Sequence, residues 1–130
     1  MDIVRIISTV IYILIVLFIL RQILPVKGLK NLSSDDLKQR IMKDENLVLI
    51  DVRRPAEYRQ GHIPNALNYP LSQLRKCVKE IPRDKEILIY CRNGMRSRHA
   101  GRILKGKGFS NIAQLRGGLV WWEGKTKKIS

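Results

Sequence analysis

Apolar residues along the chain fall into one long run and several short ones. The long run covers residues 6–20, where no charged side chain occurs and almost every residue is Ile, Val, Leu, Phe or Tyr. Residues 47–50 and 87–90 form short apolar runs of the length that a buried strand needs. Polar stretches with turn formers and helix caps separate these runs. The pattern predicts a long apolar helix followed by a small domain of short elements.

The predicted elements of the domain alternate between helix and strand. Such alternation is typical of an α/β fold with a mainly parallel central sheet flanked by helices. Functional loops of a parallel sheet lie at the carboxyl ends of its strands, and Asp51 and Cys91 both fall at such ends. Ser33 and Ser97 are the expected N-caps of two of the helices. Helices are predicted over 33–43, 55–60, 72–78 and 97–107, and strands over 47–51, 66–68, 86–90 and 112–115.

The long apolar run is sufficient to cross a membrane. Residues 3–20, at a rise of about 1.5 Å each, cover roughly 27 Å, close to the hydrocarbon thickness of roughly 30 Å. Arg5 is the one charged residue within them, and its long side chain can reach the interface. A cleaved signal peptide is the alternative, but no small-residue cleavage site follows the run. A single transmembrane signal anchor over 3–24 is therefore favoured.

Positive charges indicate how this anchor is oriented. Arg5 precedes the run, whereas Arg21, Lys27 and Lys30 follow it. Loops rich in Lys and Arg stay on the cytoplasmic side, so the domain is expected to face the cytoplasm as part of a single-pass membrane protein. The rest of the chain is then divided into a juxtamembrane linker over 25–31, a domain over 32–125 and a basic tail over 126–130.

The charge balance narrows the expected partners. The chain carries 25 Lys and Arg against 11 Asp and Glu, a net charge of +14. This excess attracts small anions, acidic lipid headgroups or nucleic acid, of which headgroups are the most economical partner for an anchored domain. No nucleic acid is expected, because aromatic residues are scarce and no readout motif accompanies the charge.

Only two cysteines occur, Cys77 and Cys91. They are too few for a disulfide framework, and the isolated His62 and His99 do not supply the ligand spacing of a metal site. No metal and no cofactor is predicted, and a reducing compartment fits this usage. Cys77 lies in a predicted helix and is interpreted as a packed residue.

Cys91 opens a loop that follows an apolar strand and precedes a helix. A free cysteine at the end of a core strand is usually a small buried hydrophobe, but the neighbours of this one favour chemistry. Gly94 permits a positive φ, and Arg92 and Arg96 add positive charge. Backbone N–H groups of the loop and of the first helical turn can converge on an anion in front of the sulfur. Such surroundings favour the thiolate, so Cys91 is the candidate nucleophile.

Four motif blocks resemble those of the rhodanese family of sulfurtransferases. They follow the family's order and spacing over residues 32–124, nearly the whole domain. Asn65 replaces a usual glycine, a tolerable departure because asparagine also adopts left-handed conformations. The blocks are Asp51-Val52-Arg53 with Glu57, residues 61–66 (GHIPNA), residues 91–97 (CRNGMRS), and residues 115–118 (LRGG) with Trp122.

The resemblance implies a rhodanese-like domain and a sulfur-transfer reaction. Cys91 would take the sulfane sulfur of a small anionic donor, thiosulfate or a persulfide, and pass it from a cysteine persulfide to a thiol or protein acceptor. The rest of the loop would bind the donor, with Arg96 orienting its oxyanion. The implied donor-binding residues are Arg92, Asn93, Gly94, Met95, Arg96 and Ser97, and the supporting residues are Asp51, Arg53, Glu57 and His62, which we expect to hold the fold rather than to act in catalysis.

Two alternatives stay open. Phosphatases and arsenate reductases on related folds carry an arginine six positions after the cysteine, whereas Arg96 falls five positions after Cys91 and Ser97 takes the sixth. The shorter loop favours sulfur over phosphate. The other alternative is a catalytically weak rhodanese-like module that binds partners or senses anions at the membrane. The intact cysteine and both arginines favour the enzyme.

Overall fold

The computed structural model describes residues 2–43 and 46–129. Its elements alternate as expected for an α/β domain, with one long helix in front. The domain also contains short 3-10 helices at Leu71–Gln73, Val78–Glu80 and Gly118–Trp121. The helices of this part of the chain are α1 (Ile3–Ile23), α2 (Ser34–Lys43), α3 (Pro55–Gln60), α4 (Leu74–Cys77) and α5 (Met95–Gly106); its strands are β1 (Lys30–Leu32), β2 (Leu47–Asp51), β3 (Leu67–Asn68), β4 (Glu86–Tyr90) and β5 (Ile112–Leu115).

The five strands form one parallel sheet in the order β1-β5-β4-β2-β3. This confirms the predicted α/β fold with helices flanking a parallel sheet. Successive residues of a strand point to opposite faces. Ile87 and Ile89 of β4 accordingly join the core cluster that includes residues of α5, while Leu88 and Tyr90 join the cluster around Leu37 of α2. The same alternation puts the residue after Tyr90 on the α5 side of the sheet.

Local sequence explains where two of the helices begin. Asp36 N donates to Ser33 Oγ at 3.1 Å and Ser33 N donates to Asp36 Oδ2 at 3.4 Å, so the predicted cap satisfies N–H groups at the start of α2. In α3 Pro55 occupies the first position, where its missing N–H has no intrahelical role. Glu57 accepts from Arg54 N at 3.3 Å in the same turn.

Three sequence interpretations need correction. The linker prediction over 25–31 was too long, because Lys30 and Asn31 pair with β5. This three-residue strand carries no apolar run and depends on its pairing partner, which explains why the pattern did not predict it. The predicted helix over 72–78 is divided between α4 and 3-10 turns. Ser97 is not an N-cap, because α5 begins after Gly94, whose φ of 97° only glycine adopts readily.

The basic tail over 126–130 is not a free extension in its described part. Lys127 forms a bridge with His62, with backbone N–H to carbonyl distances of 3.0 and 2.7 Å in the two directions. Ile129 N donates to the carbonyl of Arg59 at 2.9 Å. These backbone bonds fasten Lys127 and Ile129 to α3 and the turn after it, while the side chains of residues 126–129 stay exposed.

The helix α1 is exposed along almost its whole length and contacts the domain near its C-terminal end. The Arg102 guanidinium donates to the carbonyl oxygens of Arg21 and Leu24, and Lys105 Nζ donates to that of Lys27. By length and composition α1 is suited to cross a membrane, a test that an N-terminal signal sequence also passes. The described part of the chain holds one helix of this kind.

Candidate active site

Cys91 lies immediately after β4 and is 0% exposed, packed beneath α5. Its Sγ accepts hydrogen bonds from the backbone N–H of Gly94, at an N–S distance of 3.0 Å, and from that of Ser97, at 3.3 Å. Both donors belong to the turn that starts α5, where backbone N–H groups lack intrahelical partners and the helix dipole is positive. The positive φ of Gly94 bends the loop back over the sulfur. The arrangement is one that stabilises negative charge on sulfur.

The predicted donor-binding residues divide into two groups. Gly94 and Ser97 are buried against Cys91, whereas Arg92, Asn93 and Met95 are exposed. The Asn93 side chain accepts from Met95 N at 3.1 Å and so stabilises the loop itself. Of the exposed residues Arg92 lines a cleft of about 430 Å³, whose other walls include Arg53, Glu57, Leu119 and Val120.

Ser97 connects the loop to the central sheet. Its hydroxyl lies 2.7 Å from Gln114 Oε1, 3.1 Å from the carbonyl of Gly94 and 3.6 Å from Cys91 Sγ. Gln114 Nε2 in turn donates to Asn31 Oδ1 at 2.6 Å, which directs its amide oxygen toward Ser97. The sequence analysis missed Gln114. A polar residue inside the apolar run of β5 was the available signal, because a buried amide requires partners.

Arg96 is paired with Glu57. Its Nη1 donates to Glu57 Oε1 at 2.7 Å and its Nη2 to Glu57 Oε2 at 3.1 Å, which is the forked geometry of a strong ion pair. Hydrogen bonds from Arg96 lower the pKa of Glu57 to about 2, and the same bonds raise the pKa of Arg96. Glu57, which sequence reasoning placed among the supporting residues, therefore neutralises the arginine that was expected to orient the donor.

Asp51 and Arg53 form a buried ion pair beside the sheet. Arg53 Nε and Nη2 lie 2.7 to 3.1 Å from the Asp51 carboxylate oxygens, and Nη2 also donates to the carbonyl of Gly61 at 2.6 Å. Burial opposes the charge of Arg53, but the hydrogen bonds and negative charge of Asp51 outweigh it and raise the pKa of Arg53. Asn68 Nδ2 donates to the carbonyls of both residues at 3.0 Å. These contacts join the end of β2 to Gly61 and to β3.

His62 has contacts typical of a structural histidine. Its ring stacks on Tyr58 with centroids 3.8 Å apart, and its Nδ1 lies 2.8 Å from the Tyr58 carbonyl. Because a carbonyl oxygen only accepts, Nδ1 carries the proton in this contact. The backbone of His62 bridges to Lys127 as described above.

The turn at Gly117 and Gly118 supports the cysteine loop from outside. Leu119 N donates to the Cys91 carbonyl at 2.8 Å and Val120 N to the Arg92 carbonyl at 3.0 Å. A Cβ on Gly118 would lie 2.5 Å from the carbonyl carbon and oxygen of Arg92, closer than atoms can approach. Sequence analysis gave this turn only as part of a motif block and missed its contact with the cysteine loop. The glycine pair was the signal, since close backbone approach requires the missing side chain.

No group of three His, Cys, Asp or Glu side chains that could hold a metal ion occurs within residues 2–43 and 46–129. Both cysteines are free thiols, with Cys77 half-buried in α4. The functional groups gathered at the loop are thus a sulfur atom, backbone N–H donors, a serine hydroxyl and arginines.

A parallel sheet with a cysteine loop between a central strand and its following helix defines the class of domain. Residues 33–125 match the family described as the rhodanese-like domain, and the chain belongs to this family. The resemblance stated from the four motif blocks is confirmed.

Individual relatives agree with the family assignment. A sulfurtransferase of Allochromatium vinosum is 41% identical over 91 residues, which cover 70% of this chain and 85% of that protein. The protein YqhL of Bacillus subtilis is 40% identical over 99 residues, 76% of each chain. At family level the chain is therefore similar to sulfurtransferase-type enzymes.

Solved structures show the same fold. A rhodanese-related protein from Thermoplasma volcanium superposes with a TM-score of 0.69 at 32% identity, over 75% of this chain and 97% of that one. A rhodanese-like domain protein from Staphylococcus aureus gives a TM-score of 0.70 at 27% identity, over 78% of this chain and 100% of that one. Most of the chain after α1 is thus accounted for by the fold of these single domains.

Proposed function

We propose that the chain is a membrane-tethered sulfurtransferase that moves sulfane sulfur from thiosulfate or a persulfide donor to a thiol acceptor through a Cys91 persulfide. The observation that carries the proposal is the pair of N–H donors, from Gly94 and Ser97, on Cys91 Sγ. Such donors stabilise a thiolate before reaction and the anionic persulfide after it, without a proton being supplied from a side chain.

The proposed reaction has two balanced steps. The Cys91 thiolate attacks the outer sulfur of thiosulfate, a sulfur–sulfur bond forms, and the original bond breaks with its electron pair leaving on sulfite. An acceptor thiolate then attacks the outer sulfur of the Cys91 persulfide, takes that sulfur, and regenerates the Cys91 thiolate. Neither step consumes an external oxidant or reductant. Arg92 lines the cleft beside the loop, where its charge favours the approach of the donor dianion.

The proposed location rests on α1. The most apolar 18-residue window of this 21-residue helix has a mean hydropathy of 2.8, and none of its residues is buried against the domain. Lys and Arg residues lie mainly after it, which supports the proposal that the domain lies on the cytoplasmic side, where thiols stay reduced. Carbonate extraction of membranes and protease treatment of intact cells test this part: release from the membrane, or digestion of the domain from outside, would overturn it.

Persulfide formation tests the chemistry directly. The full-length protein in detergent is incubated with thiosulfate and its intact mass is measured, alongside Cys91→Ser and the matched control Cys77→Ser. Wild type and Cys77→Ser are expected to gain one sulfur atom, and Cys91→Ser none. If wild type gains no sulfur from thiosulfate or from a persulfide donor, the proposal is wrong, and hydrolysis of an aryl phosphate would favour phosphatase-like chemistry instead.

A catalytically weak anion-binding module is the second candidate. The ion pair between Arg96 and Glu57 favours weak catalysis, because the charge expected to orient the donor is already countered by a carboxylate. An assay that follows sulfur from thiosulfate labelled in its outer sulfur to an acceptor thiol distinguishes the sulfurtransferase from the weak module. The enzyme turns over repeatedly, whereas a weak module binds thiosulfate with no sulfite released.

A further inference from the structure

A second cleft lies where the C-terminal end of α1 meets the domain. It measures about 290 Å³ and is separate from the cysteine loop, none of whose residues line it. Three elements supply its walls: α1, α4 and α5. Phe18 and Ile103 form an apolar portion, and the polar portion consists of Arg21, Gln22, Arg75, His99 and Arg102.

The charge of this junction cleft is of one sign. Arg21, Arg75 and Arg102 converge from three different helices, His99 adds an imidazole, and no acidic side chain is among the lining residues that the structure describes. Clefts lined by a single sign of charge concentrate counter-ions, and guanidinium groups bind phosphate in a forked geometry. The chemistry that suits this cleft is a phosphate group.

The junction cleft also lies where a lipid phosphate would be found. Phe18 belongs to the uncharged run of α1, and Arg21 is the first charged residue after that run. Arg102 donates to the carbonyl oxygens of Arg21 and Leu24, which fixes the end of α1 against α5. If α1 spans the bilayer, the cleft therefore opens at the boundary between hydrocarbon and headgroups.

We propose that the junction cleft binds the phosphate group of an anionic membrane lipid, an inference that rests on the proposed membrane span. Arg75 and His99 contact the phosphate from the domain side, Arg21 contacts it from α1, and the acyl chains lie against the Phe18 side. The same α5 follows directly from the cysteine loop, so a bound lipid would hold the active site at a fixed orientation to the membrane.

The test uses the full-length chain in an uncharged maltoside detergent, with binding followed by calorimetry. The probes are dioctanoyl phosphatidylglycerol, dioctanoyl phosphatidylcholine and inorganic phosphate. The variant is the double substitution Arg75→Gln with His99→Gln; both side chains are exposed, so the fold is expected to persist, and circular dichroism checks it. Lys76→Gln is the matched control, because Lys76 is exposed on the same α4 but does not line the cleft.

We expect phosphatidylglycerol to bind about tenfold more tightly than phosphatidylcholine, the double variant to lose about tenfold in that affinity, and Lys76→Gln to lose little. Equal affinity of wild type and the double variant would overturn the assignment. Binding of inorganic phosphate as tight as that of phosphatidylglycerol would also overturn it, since the cleft would then hold a free anion. If α1 does not stay in carbonate-washed membranes, the proposed tether is wrong. If α1 stays in the membrane and Cys91 forms the persulfide, but the protein shows no preference for phosphatidylglycerol, only the proposed lipid site is wrong.

Discussion

Arg96 and Glu57 contact each other through two parallel hydrogen bonds, 2.7 and 3.1 Å long, that join the first turn of α5 to α3. Arg96 follows Cys91 by five positions, whereas Glu57 belongs to the motif block that begins at the end of β2. The pair ties the cysteine loop to the neighbouring part of the domain. A donor oxyanion that approaches Arg96 must therefore share its guanidinium with Glu57 or displace the carboxylate.

This ion pair makes the stability of the domain depend on pH in the acid range. The pKa of Glu57 is about 2 in the fold against an ordinary 4.5. A carboxylate with a lowered pKa contributes its full stability above about pH 4.5 and loses it as the pH falls toward about 2. Since the side chains are 31% and 28% exposed, we expect the contribution to be about 1 kcal/mol or less.

Urea unfolding of the full-length chain at several pH values measures this contribution. Glu57→Gln is expected to be less stable than wild type at pH 7, and the difference should shrink below about pH 4.5 and disappear as the pH falls through about 2. Glu123→Gln, an exposed carboxylate, serves as the control and should leave the pH dependence unchanged. A Glu57→Gln deficit of the same size at every pH would contradict the assignment.

Arg96 and Arg92 are expected to affect sulfur transfer differently. Arg96→Gln breaks the contact with Glu57 and removes a charge beside Cys91, so both stability and the rate with thiosulfate should fall, the rate by about tenfold. Arg92 is exposed at the cleft, so Arg92→Gln should raise KM for thiosulfate with little loss of stability. Steady-state kinetics and urea unfolding give both quantities.

An uncharged organic polysulfide is the control donor for this comparison. If Arg96 acts on the oxyanion, Arg96→Gln should slow the reaction with thiosulfate more than the reaction with the uncharged donor. Equal slowing with both donors would mean that Arg96 only positions the loop.

Gly118 is predicted to be intolerant of even a methyl group. Its φ is +69°, and an added Cβ would lie 2.5 Å from the Arg92 carbonyl and 2.7 Å from Asn93 N. Gly118→Ala should therefore lower the free energy of unfolding by about 1 kcal/mol or more and slow persulfide formation, because the loop backbone has to move.

Gly106→Ala is the matched substitution for this test. Gly106 ends α5, and an added Cβ there meets no atom within 4 Å. It should leave activity unchanged and keep or slightly raise stability, by up to about 0.5 kcal/mol. Unchanged persulfide formation in Gly118→Ala would show that the close approach of the turn does not position the loop.

The parts of the fold that were predictable are those that one segment of sequence determines. The strands Leu47–Asp51 and Glu86–Tyr90 were predicted with their observed bounds, because each is an apolar run flanked by turn residues. The strand Lys30–Leu32 was not, because its pairing with β5 stabilises it rather than its own side chains. Leu29, within the segment predicted to be a linker, is only 7% exposed and belongs to the core beside Gly101.

The candidate site shows the same division. The position of Cys91 under α5 follows from the alternation of β4 and the loop after it. The contacts of Arg96 with Glu57 and of Ser97 with Gln114 join residues 39 and 17 positions apart, and they depend on which strands are neighbours in the sheet. The strand order β1-β5-β4-β2-β3 is a property of the assembled sheet, so local sequence patterns cannot predict that Arg96 pairs with Glu57 or Ser97 with Gln114.

Gln114 and Ser97 provide the last test, a double-mutant cycle. Their 2.7 Å contact is buried next to Cys91, and Gln114 also donates to Asn31. We expect Gln114→Met to destabilise the full-length chain more than Ser97→Ala, because it also leaves the Asn31 oxygen without this donor. The coupling free energy from urea unfolding should be about 1 kcal/mol, the usual value of a buried hydrogen bond.

The Cys91 persulfide should also be shorter-lived in both single variants, because Ser97 N is one of its two N–H donors and the Gln114 contact holds Ser97 in place. Additive losses of stability with an unchanged persulfide lifetime would mean that Gln114 acts on the sheet alone and not on the sulfur site.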